Sequence, residues 1–203
     1  MTAAADSALR DAAAEALGAG GSVAHDPWTT FTPYPAPFLS RHGIWALDHE
    51  SEDSSLWLFL GWAAGERARL LTGRPDEFVA MAHDDGVDLR APEQAIAYAL
   101  AYLHTTRPAA PLTTVLRSLD DLPAVPAPDT GERLRLAALA RRRGGDFAPA
   151  ATALPGGGHA VTVHVARDRD LVRARLLLSP AGDVEVAEDT LEADLPLQAA
   201  GLG

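Results

Sequence analysis

The chain contains no cysteine, no lysine and no asparagine. Without cysteine, disulfide bonds, thiolate catalysis and zinc or iron–sulfur sites with cysteine ligands are excluded. All 17 basic residues are arginine. Together with the abundant alanine, this is typical of the codon bias of a high-GC bacterial genome. The arginine content therefore does not by itself indicate phosphate recognition.

Positive charge is also scarce, because 28 acidic residues give a formal net charge of −11 at pH 7. A broad phosphate-binding surface needs clustered cations, so we expect no nucleic-acid partner. No apolar run approaches the ~20 residues that a bilayer-spanning helix needs, and no basic segment followed by an apolar one opens the chain. The sequence predicts a cytoplasmic protein without a membrane partner.

Signatures of catalysis and metal binding are missing. Neither Gly-x-Ser-x-Gly nor His-Glu-x-x-His occurs. His42, Asp48 and His49 are near neighbours in sequence, but on a strand they span about 20 Å and two faces, so they cannot share one ion. A metal site built from distant segments is the alternative. The run Gly156-Gly-Gly158 precedes a predicted strand, which favours a hairpin turn over a phosphate cradle. We predict no catalytic residue, no metal ligand and no cofactor.

The longest apolar run is Leu-Trp-Leu-Phe-Leu-Gly-Trp at 56–62, which predicts a β-strand. Alternate strand side chains point to opposite faces, and here both faces are apolar. We therefore predict an interior strand, covered on one face by a helix at 92–106 and on the other by the aromatic residues of 27–38. Replacing Trp57 with alanine is then expected to cost about 3–5 kcal/mol of stability rather than a specific activity.

The pattern as a whole predicts an α+β fold with two antiparallel β-meanders, at about residues 42–72 and 148–190, and helices packed between and against them. The predicted strands are 42–49, 56–62, 66–72, 148–154, 159–167, 171–179 and 183–190. The predicted helices are 3–17, 75–85, 92–106 and 130–143, the last starting at a capping box, Asp129-x-x-Glu132. Residues 112–119 fit either a strand or a helix. We expect a single domain, 1–203, with 107–129 as the alternative internal boundary.

Residues 22–41 interleave four prolines with aromatic residues. Because proline fixes φ and lacks a backbone donor, this segment is predicted to be an extended loop, neither helix nor central strand. Its aromatic side chains either plug the edge of the core or form the lip of a pocket or partner site. The candidate binding residues here are Trp28, Phe31, Tyr34 and Phe38, followed by His42.

A second candidate surface is the polar face of the C-terminal meander. Arg173 and Arg175 point the same way along one strand, with His164 on a neighbouring strand and Glu185 expected across from one of them. These residues either form cross-strand ion pairs in solvent or line a concave sheet surface that binds an acidic or peptide ligand. His164, Arg173 and Arg175 are therefore candidate ligand- or partner-binding residues.

We predict a non-enzymatic, cytoplasmic protein-interaction or accessory module with a protein partner. The alternative is a small-molecule-binding or hydrolytic protein whose pocket lies between residues 27–42 and the sheet and uses His42, His25 or Asp26. A structural or self-assembling role is a third hypothesis. A fold of this class suits each of them, so the choice depends on the site.

Overall fold

The computed structural model describes residues 3–52, 55–108, 113–122, 129–143 and 147–197. In that part of the chain, four helices and two antiparallel sheets of four and five strands confirm the predicted α+β fold. No described helix combines the length and the apolar character that a membrane crossing requires.

The chain divides into two compact units. Unit 1 comprises 1–88 and 101–109, and unit 2 comprises 89–100 and 110–203. The single domain, with 107–129 as the alternative boundary, stays a prediction.

Unit 1 contains a four-stranded sheet in the order β1-β2-β3-β4, the first sheet. Its elements are α1 (Ala3–Leu17), a 3-10 segment (Gly18–His25), β1 (Thr29–Tyr34), β2 (Gly43–Glu50), β3 (Ser55–Trp62), β4 (Arg69–Leu70), α2 (Pro75–Asp85) and the end of α3 (Pro92–Thr105). The predicted meander is confirmed, although β4 pairs over two residues only. α2 ends where predicted, at Gly86, which has a left-handed φ of 71°.

Strand β1 corrects the predicted loop at 22–41. It pairs with β2 along its whole length and forms an edge of the first sheet. The N–H of Thr29 donates to the carbonyl of Asp26. This N–H therefore points away from β2. By the alternation of an antiparallel pair, Pro33 faces the same way. Its missing N–H therefore costs no ladder hydrogen bond, which is why an edge strand tolerates this proline.

The core strand β3 is covered on both faces over its second half, Phe59–Trp62. Leu60 packs with Ala13 of α1, and Trp62 packs with Leu9 of the same helix. Helix α1 therefore covers this face together with Phe31, which is the contribution of the 27–38 aromatic residues to these two clusters. Its small alanine side chains let the helix approach the sheet closely. On the opposite face, α3 contributes its last turn, where His104 contacts Phe59 at 5.2 Å between ring centroids.

Unit 2 contains the second sheet, in which β7 pairs with β8 on one edge and with β5 and β6 on the other. Its elements are residues 92–100 of α3, β5 (Thr113–Leu116), α4 (Thr130–Arg143), β6 (Ala150–Ala153), β7 (His159–Arg167), β8 (Asp170–Leu178) and β9 (Val184–Glu192). Strand β9 lies beyond β8. The open assignment at 112–119 resolves as a strand at Thr113–Leu116, and Leu112 lies outside the described residues.

Two local predictions in unit 2 are confirmed. Asp129 and Glu132 form a reciprocal capping box, in which each backbone N–H donates to the other carboxylate at 2.8 Å. The glycine run forms the turn between β6 and β7. Gly156 and Gly157 have φ of 100° and 89°, and a Cβ on Gly158 would lie 2.2 Å from the carbonyl oxygen of Leu178.

Candidate functional site

An exposed strip crosses three strands of the first sheet. Thr30, Asp48 and Trp57 lie directly opposite one another in register, so their side chains share one face. Thr32 is two residues further along the same face, and all four side chains are exposed. The face is buried only from Phe59 and Ile44 onward. We call Thr30, Thr32, Asp48 and Trp57, together with Arg107, the Trp57 surface.

Arg107 follows the C-terminal end of α3 and lies over the indole of Trp57, with its guanidinium carbon 4.7 Å from the ring centroid. The indole is 39% exposed. Burial lowers the pKa of Arg107, while the Tyr34 hydroxyl opposes this shift, and a guanidinium keeps its charge in proteins. The surface therefore presents a half-buried cation stacked on a half-exposed aromatic ring.

Beneath this pair lies His104, enclosed by aromatic rings. Tyr34 stacks on it at 5.3 Å, and Trp57 and Phe59 meet it edge-to-face at 5.6 and 5.2 Å. Burial, assisted by the charge of Arg107, lowers the pKa of His104 to about 4. The imidazole is therefore neutral near pH 7, and its described contacts are with aromatic rings. It supports the Trp57 surface from below.

His42, a candidate binding residue, is locked instead into a polar clamp. Its Nδ1 lies 2.8 Å from Asp85 Oδ1 and its Nε2 lies 3.3 Å from Glu66 Oε2, and the side chains of His42 and Asp85 are each 1% exposed. Asp85 also accepts hydrogen bonds from the backbone N–H groups of Ser40, Arg41 and His42. This arrangement ties the chain before β2 to the end of α2.

The clamp is built around the carboxylate of Asp85. Burial alone would raise the pKa of Asp85, but the hydrogen bonds from Ser40, His42 and Arg41 outweigh it and hold the pKa well below its usual range. Asp85 is thus a permanent carboxylate. Asp84, next to it in sequence, is about half exposed and forms an ion pair with Arg69 instead. No cluster of three metal-ligating side chains is present in the described residues.

The remaining aromatic candidates divide between core and solvent. Phe31 lies under Arg10, at 5.2 Å, and packs with both α1 clusters, while Phe38 is 8% exposed beside Phe78. Trp28 is 68% exposed. The side chains of Phe31, Tyr34 and Phe38 pack against the core, as the first of the two interpretations of this segment expects. Of these four aromatic candidates, only Trp28 projects into solvent.

The other polar candidates of unit 1 lie close to Trp28. Asp26 Oδ1 accepts a hydrogen bond from the N–H of Trp28, which fixes the turn before β1. His25 Nε2 lies 3.6 Å from Asp11 Oδ1, with both side chains at least half exposed. The described residues do not bring His25, Asp26 and His42 into one pocket.

In unit 2 the predicted polar face is only partly polar. Leu116, Ala166 and Leu171 on that face form a second core with Leu139 of α4 and with Phe147, and His164 meets the Phe147 ring at 4.8 Å. Arg173 and Arg175 are exposed.

The ion pairing on this face differs from the prediction. Arg173 forms an ion pair at 2.8 Å with Asp189 rather than with Glu185. The cause is register, because Asp189 lies opposite Arg173 while Glu185 lies opposite Leu177.

Sequence reasoning missed the principal members of the Trp57 surface and of the clamp. The sequence predicts Trp57 in the core and His104 within the helix at 92–106, and it assigns no role to Arg107. One signal in the sequence argued against full burial of Trp57. In the predicted hairpin Asp48 shares a sheet face with Trp57, and an aspartate is rarely buried without an ion-pair partner. No protein-family model, no curated protein and no solved structure matches this chain.

Proposed function

We propose that this chain is a non-enzymatic protein-interaction module and that its partner binds the Trp57 surface. The observation that carries the proposal is the half-exposed Trp57 indole with the Arg107 guanidinium stacked on it. Tryptophan and arginine are the residue types that most often dominate the binding energy of protein interfaces. Here they are held in place from below by His104 and Phe59, so little side-chain entropy is lost on binding.

The backbone of Trp57 supports the same proposal. Phe59 uses its N–H and carbonyl on the β4 side, donating to Thr72 Oγ1 and accepting from the N–H of Leu71. By alternation, the N–H and carbonyl of Trp57 point to that side as well, where β4 has already ended. Among the described residues neither group has a partner. An extended partner segment can therefore bond to the main chain of Trp57 and pack against its ring.

The polar members of the surface define the complementary chemistry. The positive charge of Arg107 favours a carboxylate or main-chain carbonyls nearby, and Thr30 and Thr32 have hydroxyls of a kind that donates or accepts hydrogen bonds. Asp48 is exposed one strand away and disfavours an acidic residue at its own position. The favoured partner segment is apolar where it meets Trp57, with a carboxylate or carbonyl directed at Arg107.

The alternative, a small-molecule or hydrolytic protein, gains no specific support. Unit 1 has a cavity of about 420 Å³, but Glu66, Arg67, Arg69, Arg74 and Glu77 are its polar lining. It therefore involves neither the 27–42 segment nor His25, Asp26 or His42, the groups on which that hypothesis depended.

Affinity capture from the native host tests the proposal, with the two exposed tryptophans as a matched pair. Wild type and Trp28→Ala are expected to recover the same stoichiometric partner, and Trp57→Ala to recover it with an affinity at least about tenfold lower, as loss of a hot-spot side chain requires. Circular dichroism must show that both variants remain folded. Equal recovery by all three proteins, or recovery of no stoichiometric partner, would contradict the proposal.

A further inference from the structure

Strand β9 forms a long exposed edge of the second sheet. It has nine residues, and those from Glu185 to Thr190 are all exposed. Val186 is one of the exposed large apolar side chains of the described residues, at 42%. Within the described part of the chain, β9 pairs with β8 and with no other strand. An unpaired edge of this length is a template for an added strand unless it is protected.

The hairpin between β8 and β9 shows which backbone groups of β9 point outward. The N–H of Ser179 donates to the carbonyl of Asp183 at 3.0 Å, which makes this a hydrogen-bonded pair. Regular pairing from Leu178–Val184 to Val172–Thr190 follows, so alternation turns four residues outward. These residues are Val184, Val186, Glu188 and Thr190. Their outward N–H and C=O groups have no partner among the described residues, and they extend over about 20 Å.

The pairing of β9 with β8 shifts register only beyond Thr190, so from Val184 to Thr190 the described protection of this edge is electrostatic. The edge strand β1 of the first sheet contains Pro33, whereas β9 contains no proline and no cation. All its charged side chains are acidic: Glu185, Glu188, Asp189 and Glu192. Three of them pair with arginines of other elements: Arg167 of β7 and Arg173 of β8, which lie on the inner side of β9, and Arg142 of α4. A strand added outside β9 would therefore meet carboxylates as its nearest charged neighbours.

This charge pattern selects the occupant. A second copy of β9 would bring four more carboxylates and no cation to this edge, which disfavours the strand pair, and an acidic peptide is disfavoured in the same way. A segment that alternates basic with apolar residues would pair its cations with the carboxylates and pack its apolar side chains near Val186. We propose that β9 receives an extended basic segment of a partner protein as an additional strand. This surface is separate from the Trp57 surface and does not depend on it.

The test uses a fluorescein-labelled, blocked eight-residue peptide of alternating arginine and valine and follows its anisotropy with the full chain. Binding should weaken with added salt, as expected for charge pairing. The matched peptide with glutamate in place of arginine should not bind. A third peptide, N-methylated at every second residue, should also fail because it cannot complete the ladder. Equal binding of the N-methylated and unmodified peptides would overturn the proposal.

Variants of β9 separate the backbone from the side chains. Glu188→Pro removes an outward N–H without touching the bonds to β8, and it should weaken the arginine–valine peptide at least about tenfold. Its control, Glu188→Gln, has the same charge loss but keeps the N–H, and it should weaken the peptide less. Identical affinities of these two variants would count against strand addition.

Amide hydrogen exchange tests the same proposal in the wild-type chain, so no variant has to fold. The peptide should slow exchange at Val184, Val186, Glu188 and Thr190, because these amides gain hydrogen bonds. Binding with unchanged exchange at these positions would overturn the proposal. So would a concentration-dependent dimer, measured by light scattering, that Glu188→Pro abolishes, because the occupant would then be a second copy.

Discussion

His42 and His104 both lie inside unit 1, yet their imidazoles have opposite surroundings. His42 lies between the carboxylates of Asp85 and Glu66, whereas His104 lies among the rings of Tyr34, Trp57 and Phe59. The first environment is polar, whereas the second is apolar and lowers the pKa of His104. One of these two histidines is thus positioned by carboxylates and the other by aromatic packing, and we expect the two sites to respond differently to acid and to mutation.

The clamp should lose the most stability when it is broken. Asp85→Ala leaves the buried His42 side chain and the N–H groups of Ser40 and Arg41 without their common acceptor. We expect a loss of about 3–5 kcal/mol in the free energy of unfolding, measured by urea denaturation. The neighbouring Asp84→Ala is the control, because its ion pair with Arg69 is exposed and should contribute less than about 1 kcal/mol. Similar losses for the two variants would show that the clamp stabilises the fold no more than an exposed ion pair does.

The contributions of the two sites to stability are lost in different pH ranges. The pKa of His104 falls from its ordinary 6.5 to about 4 in the folded chain, so the unfolded chain binds more protons between these values. The neutral imidazole therefore contributes stability that is complete above about pH 6.5 and is lost as the pH falls toward 4, in total about 2–3 kcal/mol. The lowered pKa of Asp85 contributes stability that is present above its ordinary 3.8 and is lost only below it.

Urea unfolding of His104→Leu at a series of pH values checks this separation. The variant should lose less stability than wild type between pH 6.5 and 4, and the same amount below 3.8. An unchanged pH dependence between 6.5 and 4 would mean that His104 is not held neutral by its surroundings.

Trp57→Ala should expose His104 to water. The indole is 39% exposed, so we now expect a loss of about 1–3 kcal/mol, below the 3–5 that a fully buried ring would give. Water that reaches His104 should also raise the pKa of His104 toward 6.5, which an NMR titration of its ring protons measures. Phe59→Ala, at a position only 2% exposed, is the buried comparison and should cost more stability. A larger loss of stability for Trp57→Ala than for Phe59→Ala would show that Trp57 acts as a core residue.

Arg107→Gln should have the smallest effect on stability, about 1 kcal/mol or less, because the cation–π contact is partly open to solvent. It removes one of the two causes that lower the pKa of His104. That pKa should therefore rise by NMR titration while the unfolding midpoint in urea hardly moves. A fall in the pKa of His104 would show that its present value does not depend on the charge of Arg107.

Most of the fold could be predicted from the sequence because local rules agree with the tertiary structure. The strand His159–Arg167 has the predicted bounds, and the capping box at Asp129 starts a helix as predicted. Strand β1 was missed because prolines argue against central strands, and the same rule permits them at an edge, which periodicity cannot distinguish. The two proposed binding surfaces were harder still. Which aromatic ring remains exposed depends on where a covering helix ends.

The clamp illustrates the same limit. Asp85 stands beside Asp84 in a sequence that gives no reason to separate them. Only the approach of Ser40, Arg41 and His42 makes one of these two carboxylates buried and permanently ionised. Contacts between residues so distant in sequence cannot be derived from a single sequence by spacing or propensity.

The three-glycine turn between β6 and β7 has a consequence for how this chain tolerates mutation. Gly156 and Gly157 exclude L-residues because of backbone handedness, and Gly158 excludes any Cβ because a carbonyl oxygen occupies the space. D-alanine introduced by chemical synthesis should therefore be accepted at 156 and 157 and should stabilise the fold by restricting the unfolded chain. A saturation scan scored by thermal stability should find all three codons intolerant. The turn would then look like a functional motif, although its requirement is purely steric.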